Sequence, residues 1–306
     1  MVSDKPIIKI TKLSTLTGHK DSLYSMERDK NGKFVYSAGG DGGILQWDIS
    51  NPKRAVLITQ LEGSVYCMHR INDSLLAIGE NNFGVRVLDI RKRKEVKFIS
   101  FPKRQLFDIT SLGDNMFVAD GNGDVTVVDT SSWKTIDTIK LSSKRARCMA
   151  IDFENNQMAI GYSDNHIRII SLKDSSVLND WKAHEKSVFS LNFLPGGEWL
   201  MSGGMDAYIK LWKNNSDFAP GGEIVGHTFA INHIDISPNG KYFLSCSMDK
   251  TIKVWDLRAG RLLKVIDEPR YQGHSASINT VKWLNDNTFV SAGDDKNLNI
   301  WGIEGI

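Results

Sequence analysis

Short runs that alternate between apolar and polar residues recur along the whole chain, separated by turn residues. Residues 188–193, 199–202 and 208–212 form one such group. Alternation with a period of two is typical of β-strands that bury one face. The turns between runs carry residues such as Asn31 and Gly32, which suit tight hairpins. Since no helical period is present and β-branched and aromatic residues are frequent, the pattern predicts an all-β protein.

These runs belong to a repeating unit, which is clearest between residues 226 and 256. In four units a His precedes a Trp by 27 or 28 residues, an Asp stands six residues before the Trp, and a Ser stands four residues before that Asp. The four sets are His19, Ser37, Asp41 and Trp47; His184, Ser202, Asp206 and Trp212; His227, Ser245, Asp249 and Trp255; and His274, Ser291, Asp295 and Trp301.

Three further units fill the interval between Trp47 and Trp212. Leu88, Val128 and Ile170 continue the Trp column at intervals of 40 to 42 residues. The His, Ser and Trp of the four sets are all absent from these units, so we expect that these side chains touch one another where they occur. Seven units of this length have the period of a four-stranded propeller blade.

The three units without the polar set carry apolar residues at the Ser and Trp positions. Replacing all partners of a polar network together by apolar groups is nearly neutral. We therefore expect these blades to be stabilised by packing alone. The apolar pairs are Ile78 with Leu88, Val118 with Val128, and Ile160 with Ile170.

The two ends of the chain are expected to meet. The last unit ends soon after Trp301 without an outer strand, whereas residues 8–16 supply a spare strand ahead of the first unit. Pairing them would remove an open sheet edge. The sequence thus predicts one domain over residues 1–306: a seven-bladed β-propeller of four-stranded antiparallel blades. Residues 8–16 would form the outer strand of the seventh blade, and residues 18–306 the other strands.

Gly-His, Asp and Trp-Asp at these spacings resemble the WD-repeat (WD40) family of β-propellers. Trp47-Asp48 and Trp255-Asp256 are complete Trp-Asp pairs, while units two to four match by spacing. The resemblance implies that each four-residue set is a structural tetrad, which ties the second and third strands of a blade to the loop before the first strand. It also implies a peptide-binding top face, the face that carries this loop and the turn between the second and third strands.

Ser, His and Asp in one unit also permit an enzymatic interpretation, with His184, Ser202 and Asp206 as a hydrolase triad. A nucleophile needs one copy rather than four, and no Gly-x-Ser-x-Gly elbow surrounds these serines. Because Trp is a donor, a carboxylate an acceptor, and Ser and His both, the set forms a closed network suited to a buried site. We therefore expect a structural role and no catalytic residue.

Other motifs give weaker signals. Residues 120–124 begin like a calcium loop, but Val125 and Ser131 stand where that loop needs Gly and Glu, so a tight turn is expected. The basic run at 91–94 is expected to be a solvated turn rather than a nuclear import or polyanion motif. The sequence predicts neither a metal site nor a cofactor, since isolated histidines show no ligand spacing: His69, His166 and His233.

Composition narrows the function classes. Lys and Arg number 38 and Asp and Glu 36, a net charge of +2, which argues against nucleic acid or membrane as the default partner. No segment is apolar for long enough to be a signal peptide or a membrane span. Three cysteines in apolar runs fit a reducing compartment, so we expect a cytoplasmic protein, with the nucleus as the alternative.

One repeat position near the start of the first strand gathers aromatic residues and an arginine. In a propeller this strand lines the central channel, so these residues would ring its upper mouth, where Arg104, Met205, Phe229 and Met248 are expected nearby. Such a composition is typical of a protein interface; the alternative is that the rings plug the channel. The predicted partner-binding residues are Tyr24, Tyr66, Arg104, Phe107, Arg147, Phe189, Met205, Phe229 and Met248, with Asn232 and Asn279 completing the ring.

These observations predict a non-catalytic scaffold that binds a protein or peptide on its top face. Basic residues from Lys103 to Lys186 gather on one side of that face, which favours an acidic or phosphorylated segment. One alternative is an enzyme with a site in the channel, for which Asp108, Asp152 and Asp235 are the candidate carboxylates. The other is a nucleic-acid-binding module on the basic side.

The tetrad hypothesis predicts the effect of His227→Ala. Removing the imidazole leaves Asp249 and Ser245 without their partner, so the variant should lose about 1–3 kcal/mol of stability. Thermal melting curves of the variant and the wild type measure this loss. Coincident curves would contradict a network at this blade.

Overall fold

The computed structural model describes residues 8–52, 54–215 and 217–305. Within these ranges the chain forms 28 β-strands and one short helix, α1 at Glu268–Tyr271. A membrane-spanning helix needs about 20 residues, and no helix in the described ranges has the length and apolar character to cross a bilayer. The strands pair antiparallel into seven four-stranded sheets, which confirms the predicted all-β class.

Each sheet is one blade, whose strands a to d run in chain order from the channel outward, and β1 at Lys9–Thr17 lies before the first blade. Blade one consists of β2 Leu23–Arg28, β3 Phe34–Gly39, β4 Gly43–Asp48 and β5 Ala55–Gln60, and blade two of β6 Val65–Arg70, β7 Leu75–Glu80, β8 Gly84–Asp89 and β9 Lys94–Ser100. Blade three consists of β10 Leu106–Leu112, β11 Asn115–Asp120, β12 Asp124–Asp129 and β13 Lys134–Lys140, and blade four of β14 Ala146–Asp152, β15 Gln157–Tyr162, β16 His166–Ser171 and β17 Val177–Lys182.

Blades five and six have the same order, and blade seven takes its outer strand from the start of the chain. Blade five consists of β18 Val188–Phe193, β19 Trp199–Gly204, β20 Tyr208–Lys213 and β21 Pro220–Val225. Blade six consists of β22 Ile231–Ile236, β23 Tyr242–Ser247, β24 Ile252–Asp256 and β25 Arg261–Ile266. Blade seven consists of β26 Ile278–Asn285, β27 Thr288–Gly293 and β28 Asn297–Glu304, together with β1.

The blades form a closed ring. Strand a of each blade contacts strand a of both neighbours, from β2 round to β26 and back to β2. Seven buried apolar clusters fill the seven interfaces between adjacent blades. The core is therefore a ring of interfaces rather than one central mass.

The predicted outer strand of the seventh blade is confirmed. Strand β1 pairs antiparallel with β28, from Lys9 opposite Glu304 to Thr17 opposite Asn297. Ile10 packs into the cluster between blades six and seven, and Leu16 into the cluster between blades seven and one. The first strand of the described chain thus joins the last blade and covers its edge.

In four blades the tetrad residues are hydrogen-bonded to one another. In blade six, His227 Nδ1 lies 2.9 Å from Asp249 Oδ2, His227 Nε2 lies 2.7 Å from Ser245 Oγ, and Trp255 Nε1 donates to the same Ser245 hydroxyl at 2.9 Å. The other three blades show the same contacts within 2.7–3.0 Å.

The tetrad carboxylates are held in the charged form. At Asp206, burial works against the charge, but hydrogen bonds from His184 and from the backbone amides of Glu185 and Tyr208 lower its pKa to about 2. A carboxylate that accepts several hydrogen bonds is stabilised as the anion. Each tetrad therefore anchors the loop before strand a through a permanent acceptor.

The expectation that blades two to four depend on packing alone is wrong, because each contains a carboxylate–arginine contact. Glu80 is fully buried, accepts backbone hydrogen bonds from Glu62 and Gly63 at 3.1 Å each, and lies 2.6 Å from Arg86 Nε. A buried carboxylate needs such partners to offset its lost hydration. The corresponding contacts are Asp120 with Arg104 in blade three and Asp164 with Arg168 in blade four.

The tetrad blades differ from blades two to four at the residue eight positions before the Trp column. In the tetrad blades it is Gly or Ser, as at Gly204, where an added Cβ would lie 3.1 Å from His184 Nδ1. A larger side chain there would compete with the imidazole for space. Blades two to four, which lack the His, carry Glu80, Asp120 and Tyr162 at this position.

The network in blade two predicts a large effect of Glu80→Ala. The substitution leaves the backbone amides of Glu62 and Gly63 without their acceptor and removes the buried partner of Arg86 Nε, so stability should fall by about 2–4 kcal/mol. Glu95→Ala is the matched control, because Glu95 contacts the same Arg86 from a position with 41% of its side chain exposed, and it should cost less than about 1 kcal/mol. Urea denaturation measures both, and equal losses would contradict the role of Glu80.

Candidate partner-binding site at the channel mouth

A channel of about 680 Å³ runs along the axis of the ring and is lined by strand a of all seven blades. Near the start of strand a, its pairing with strand b skips one residue in every blade, and this skipped residue faces the upper end of the channel. A bulge of this kind turns a side chain away from the ladder. The seven skipped residues, called here the mouth residues, are Tyr24, Tyr66, Phe107, Arg147, Phe189, Asn232 and Asn279.

The aromatic mouth residues of blades one to three touch one another. The rings of Tyr24 and Tyr66 meet edge to face with centroids 4.9 Å apart, and Tyr66 stacks on Phe107 at 5.8 Å. All three side chains are half-buried. The three rings therefore form one continuous aromatic surface at the mouth.

Arg147 continues this arc into blades four and five. Its guanidinium carbon lies 4.3 Å from the centroid of Phe107 and 5.3 Å from that of Phe189, and its Nε donates to Ser163 Oγ at 3.0 Å. Burial and the neighbouring charge of Arg145 lower the pKa of Arg147. No carboxylate within the described ranges forms an ion pair with either arginine, so the site holds two adjacent unneutralised cations.

The other predicted partner-binding residues do not line the channel. Arg104 donates to Asp120 and Asp124, so its charge is already paired in blade three. Met205, Phe229 and Met248 lie on the surrounding top face of blades five and six, where each exposes about half or more of its surface. The predicted set therefore separates into mouth residues, an exposed apolar group and one structural arginine.

Deeper in the channel, polar side chains connect the inner strands of adjacent blades. Asp108 Oδ2 accepts from Met149 N at 2.7 Å, and Asp235 Oδ2 accepts from Trp283 N at 2.6 Å. Lys282 closes the ring onto blade one through Glu27, with Nζ and Oε1 2.7 Å apart. Sequence analysis missed these contacts, because each joins residues about one repeat or more apart.

The carboxylates proposed for an enzymatic site do not converge. Asp108 and Asp235 are engaged with backbone amides of different blades, and Asp152 lies outside the channel, bound to Asn155 and Asn214. In the described ranges no group of three or more His, Cys, Asp or Glu residues could hold a metal ion. The 120–124 segment is a turn in which Asp120 accepts backbone amide hydrogen bonds.

Comparison with known families decides the classification. The profile of the WD domain, G-beta repeat, matches residues 10–48, 175–213, 219–256 and 266–302, which together make up half of the chain. The chain belongs to the WD-repeat family. The matched segments contain the four tetrads, and the unmatched region contains most of the three blades of this WD-repeat protein that use carboxylate–arginine contacts.

Known relatives share this repeat at low identity. The chain is 25% identical over 202 residues to THO complex subunit 3 of Arabidopsis thaliana, which covers 64% of this chain and 63% of that protein. It is 24% identical over 309 residues to actin-interacting protein 1 of Caenorhabditis elegans, at 94% and 47% coverage respectively. The chain thus spans less than two thirds of the length of either relative.

The environment of Asp108 predicts a pH dependence of stability. Its position deep in the channel raises its pKa from 3.8 to about 7, mainly by desolvation. A carboxyl with a raised folded-state pKa adds stability below its unfolded pKa, and this contribution is lost as the pH rises to the folded pKa.

Asp108→Asn keeps an acceptor for Met149 N but cannot ionise. As the pH rises from 4 to 8, the free energy of unfolding of the variant should increase by about 1–3 kcal/mol relative to that of the wild type. Solvent in the channel makes this increase smaller than the full pKa shift would give. Urea midpoints at several pH values measure the difference. A difference that stays constant over this range would contradict a desolvated carboxyl.

Proposed function

We propose that this WD-repeat protein is a non-catalytic interaction platform that binds a peptide or protein segment across the channel mouth. The observation that carries the proposal is the continuous arc from Tyr24 through Tyr66 and Phe107 to Arg147 and Phe189. Half-buried aromatic rings supply contact area at little cost in side-chain entropy, and an arginine among them is typical of binding hot spots.

The ring supports this proposal because it holds the arc rigidly. Each mouth residue projects from a bulge in an inner strand that contacts both neighbouring blades. A preorganised surface loses little conformational freedom on binding, which favours affinity. The unpaired charges of Arg145 and Arg147 favour an acidic or phosphorylated residue in the bound segment.

The relatives of the chain are consistent with such a role. The names of the relatives describe a complex subunit and an interacting protein, which fits a protein that works through partners.

Cys67, Cys148 and Cys246 are unpaired and buried, as expected in a reducing compartment, so we infer a cytoplasmic location.

Affinity capture from a lysate of the source organism tests the proposed surface. The variant combines Phe107→Ala, Arg147→Glu and Phe189→Ala, which removes both rings that flank the guanidinium and reverses its charge. Proteins retained by the wild type should be reduced about tenfold or more, because truncating a central hot spot costs about 2 kcal/mol or more.

The control variant combines Leu57→Ala, Arg91→Glu and Phe153→Ala, which make similar changes at sites away from the mouth. Leu57 and Phe153 expose 56% and 70% of their surfaces, so the control should fold and capture like the wild type. If the wild type and the mouth variant retrieve the same proteins in equal amounts, the proposed surface is wrong.

A further inference from the structure

The channel mouth is positive on the side of blade four. Arg145 and Arg147 both approach the ring of Phe107, at 6.0 and 4.3 Å from its centroid. The acidic residues nearby are already engaged: Asp164 pairs with Arg168 and Glu185 pairs with Lys182. Lys144 and Lys186, in the loops before blades four and five, are exposed and add to the positive charge.

The mouth is negative at the seam between blades seven and one. Asp294, in the turn between strands b and c of blade seven, is exposed and accepts from the mouth residue Asn279 at 2.7 Å. Asp21, in the loop before blade one, is exposed and accepts from Ser22 N at 2.8 Å. No cation in the described ranges forms an ion pair with either carboxylate.

Tyr24 shows that both negative charges act on the mouth. Burial raises the pKa of the Tyr24 hydroxyl, and the carboxylates of Asp294 and Asp21 raise it further. The two acids therefore lie close enough to a mouth residue to influence its ionisation. Asp294 also contacts the mouth residue Asn279, and Asp21 stands three residues before the mouth residue Tyr24, so both acids adjoin the mouth.

The order of the blades sets the two charged regions opposite each other. Strand a of blade four is three steps round the ring from blade one in one direction and three steps from blade seven in the other. Arg145 and Arg147 thus face the seam that carries Asp21 and Asp294 across the channel. The aromatic arc of blades one to three occupies the space between them on one side.

The geometry points to a bipolar peptide segment as the occupant of this mouth. An acidic or phosphorylated residue of the segment contacts Arg145 and Arg147, a basic residue contacts Asp21 and Asp294, and apolar residues between them lie on the aromatic arc. This inference rests on the proposed function and adds the direction in which the segment lies. A uniformly acidic segment long enough to cross the mouth would meet two unneutralised carboxylates, and such like-charge contacts are strongly disfavoured.

Selection from a phage-displayed library of random linear peptides tests the inference, with the full chain immobilised. The enriched peptides should share an acidic residue and a basic residue separated by apolar residues. Arg145→Glu with Arg147→Glu should weaken a selected peptide by about tenfold or more, and exchanging its acidic residue for Lys should recover most of that loss. Asp21→Lys with Asp294→Lys should likewise weaken binding, and exchanging the basic residue of the peptide for an acidic one should recover most of that loss.

Matched controls separate these effects from a change in net charge. Arg91→Glu with Arg93→Glu reverses two cations at a c–d turn, and Glu154→Lys with Glu198→Lys reverses two exposed acids at a–b turns on the opposite face. Both should bind the selected peptides like the wild type. Melting curves confirm that each variant is folded, and Arg145→Glu alone serves if the double variant is unstable, since Arg145 is exposed.

The outcomes distinguish the inference from the function on which it rests. If no peptide is enriched, or binding is unaffected by Phe189→Ala, the mouth is not a peptide site and both fail. If Phe189→Ala abolishes binding but neither charge reversal changes it, or both ends of the peptide require acidic residues, the function stands and the bipolar inference is wrong.

Discussion

The pairing of β1 with β28 is the constraint on which the channel depends. Without it the seventh blade would have three strands and an open edge, and the seam between blades seven and one would lose Leu16 from its apolar cluster. Such contact between distant parts of the chain costs loop-closure entropy, which the buried strand repays. The closed ring then brings Asp21 and Asp294, which are far apart in sequence, to the same part of the mouth.

Within this ring the blades use two solutions to one local problem, namely how to hold the loop before strand a. Four blades use His and an Asp, and blade two uses Glu80, which binds the loop amides directly. The imidazole of the His and the side chain at the end of strand b would occupy the same space, so the His fits where that residue is Gly or Ser. The choice is therefore made jointly at two positions that are distant in sequence, which explains why the polar residues change as a set.

Much of the fold could be predicted from sequence, because the repeat appears as a regular spacing of residues along the chain. The column of Trp47, Leu88 and their equivalents marks every blade, and the spare strand at the start shows how the ring closes. The mouth residues were found in the same way. The pairing of Arg104 with Asp120 and the bond from Asp108 to the next blade could not be found, because they depend on which side chains face one another between strands. Glu80 and Asp120 had a signal, the departure from Gly or Ser eight residues before the Trp column.

The asymmetry of the mouth follows from which bulged residues the ring itself requires. In blades six and seven these residues are Asn232 and Asn279, whose amides donate to the backbone carbonyls of Ile278 and Leu23 in the next blade. They act as part of the ring. Deeper positions connect the inner strands on both sides of the ring, such as Asp108 and Asp235. In blades one to five the bulged position instead carries an aromatic or arginine side chain, and these side chains contact one another at the mouth. A fold with seven equivalent positions can thus carry amide side chains that bond to the next blade on one side of the mouth, and aromatic and arginine side chains on the other.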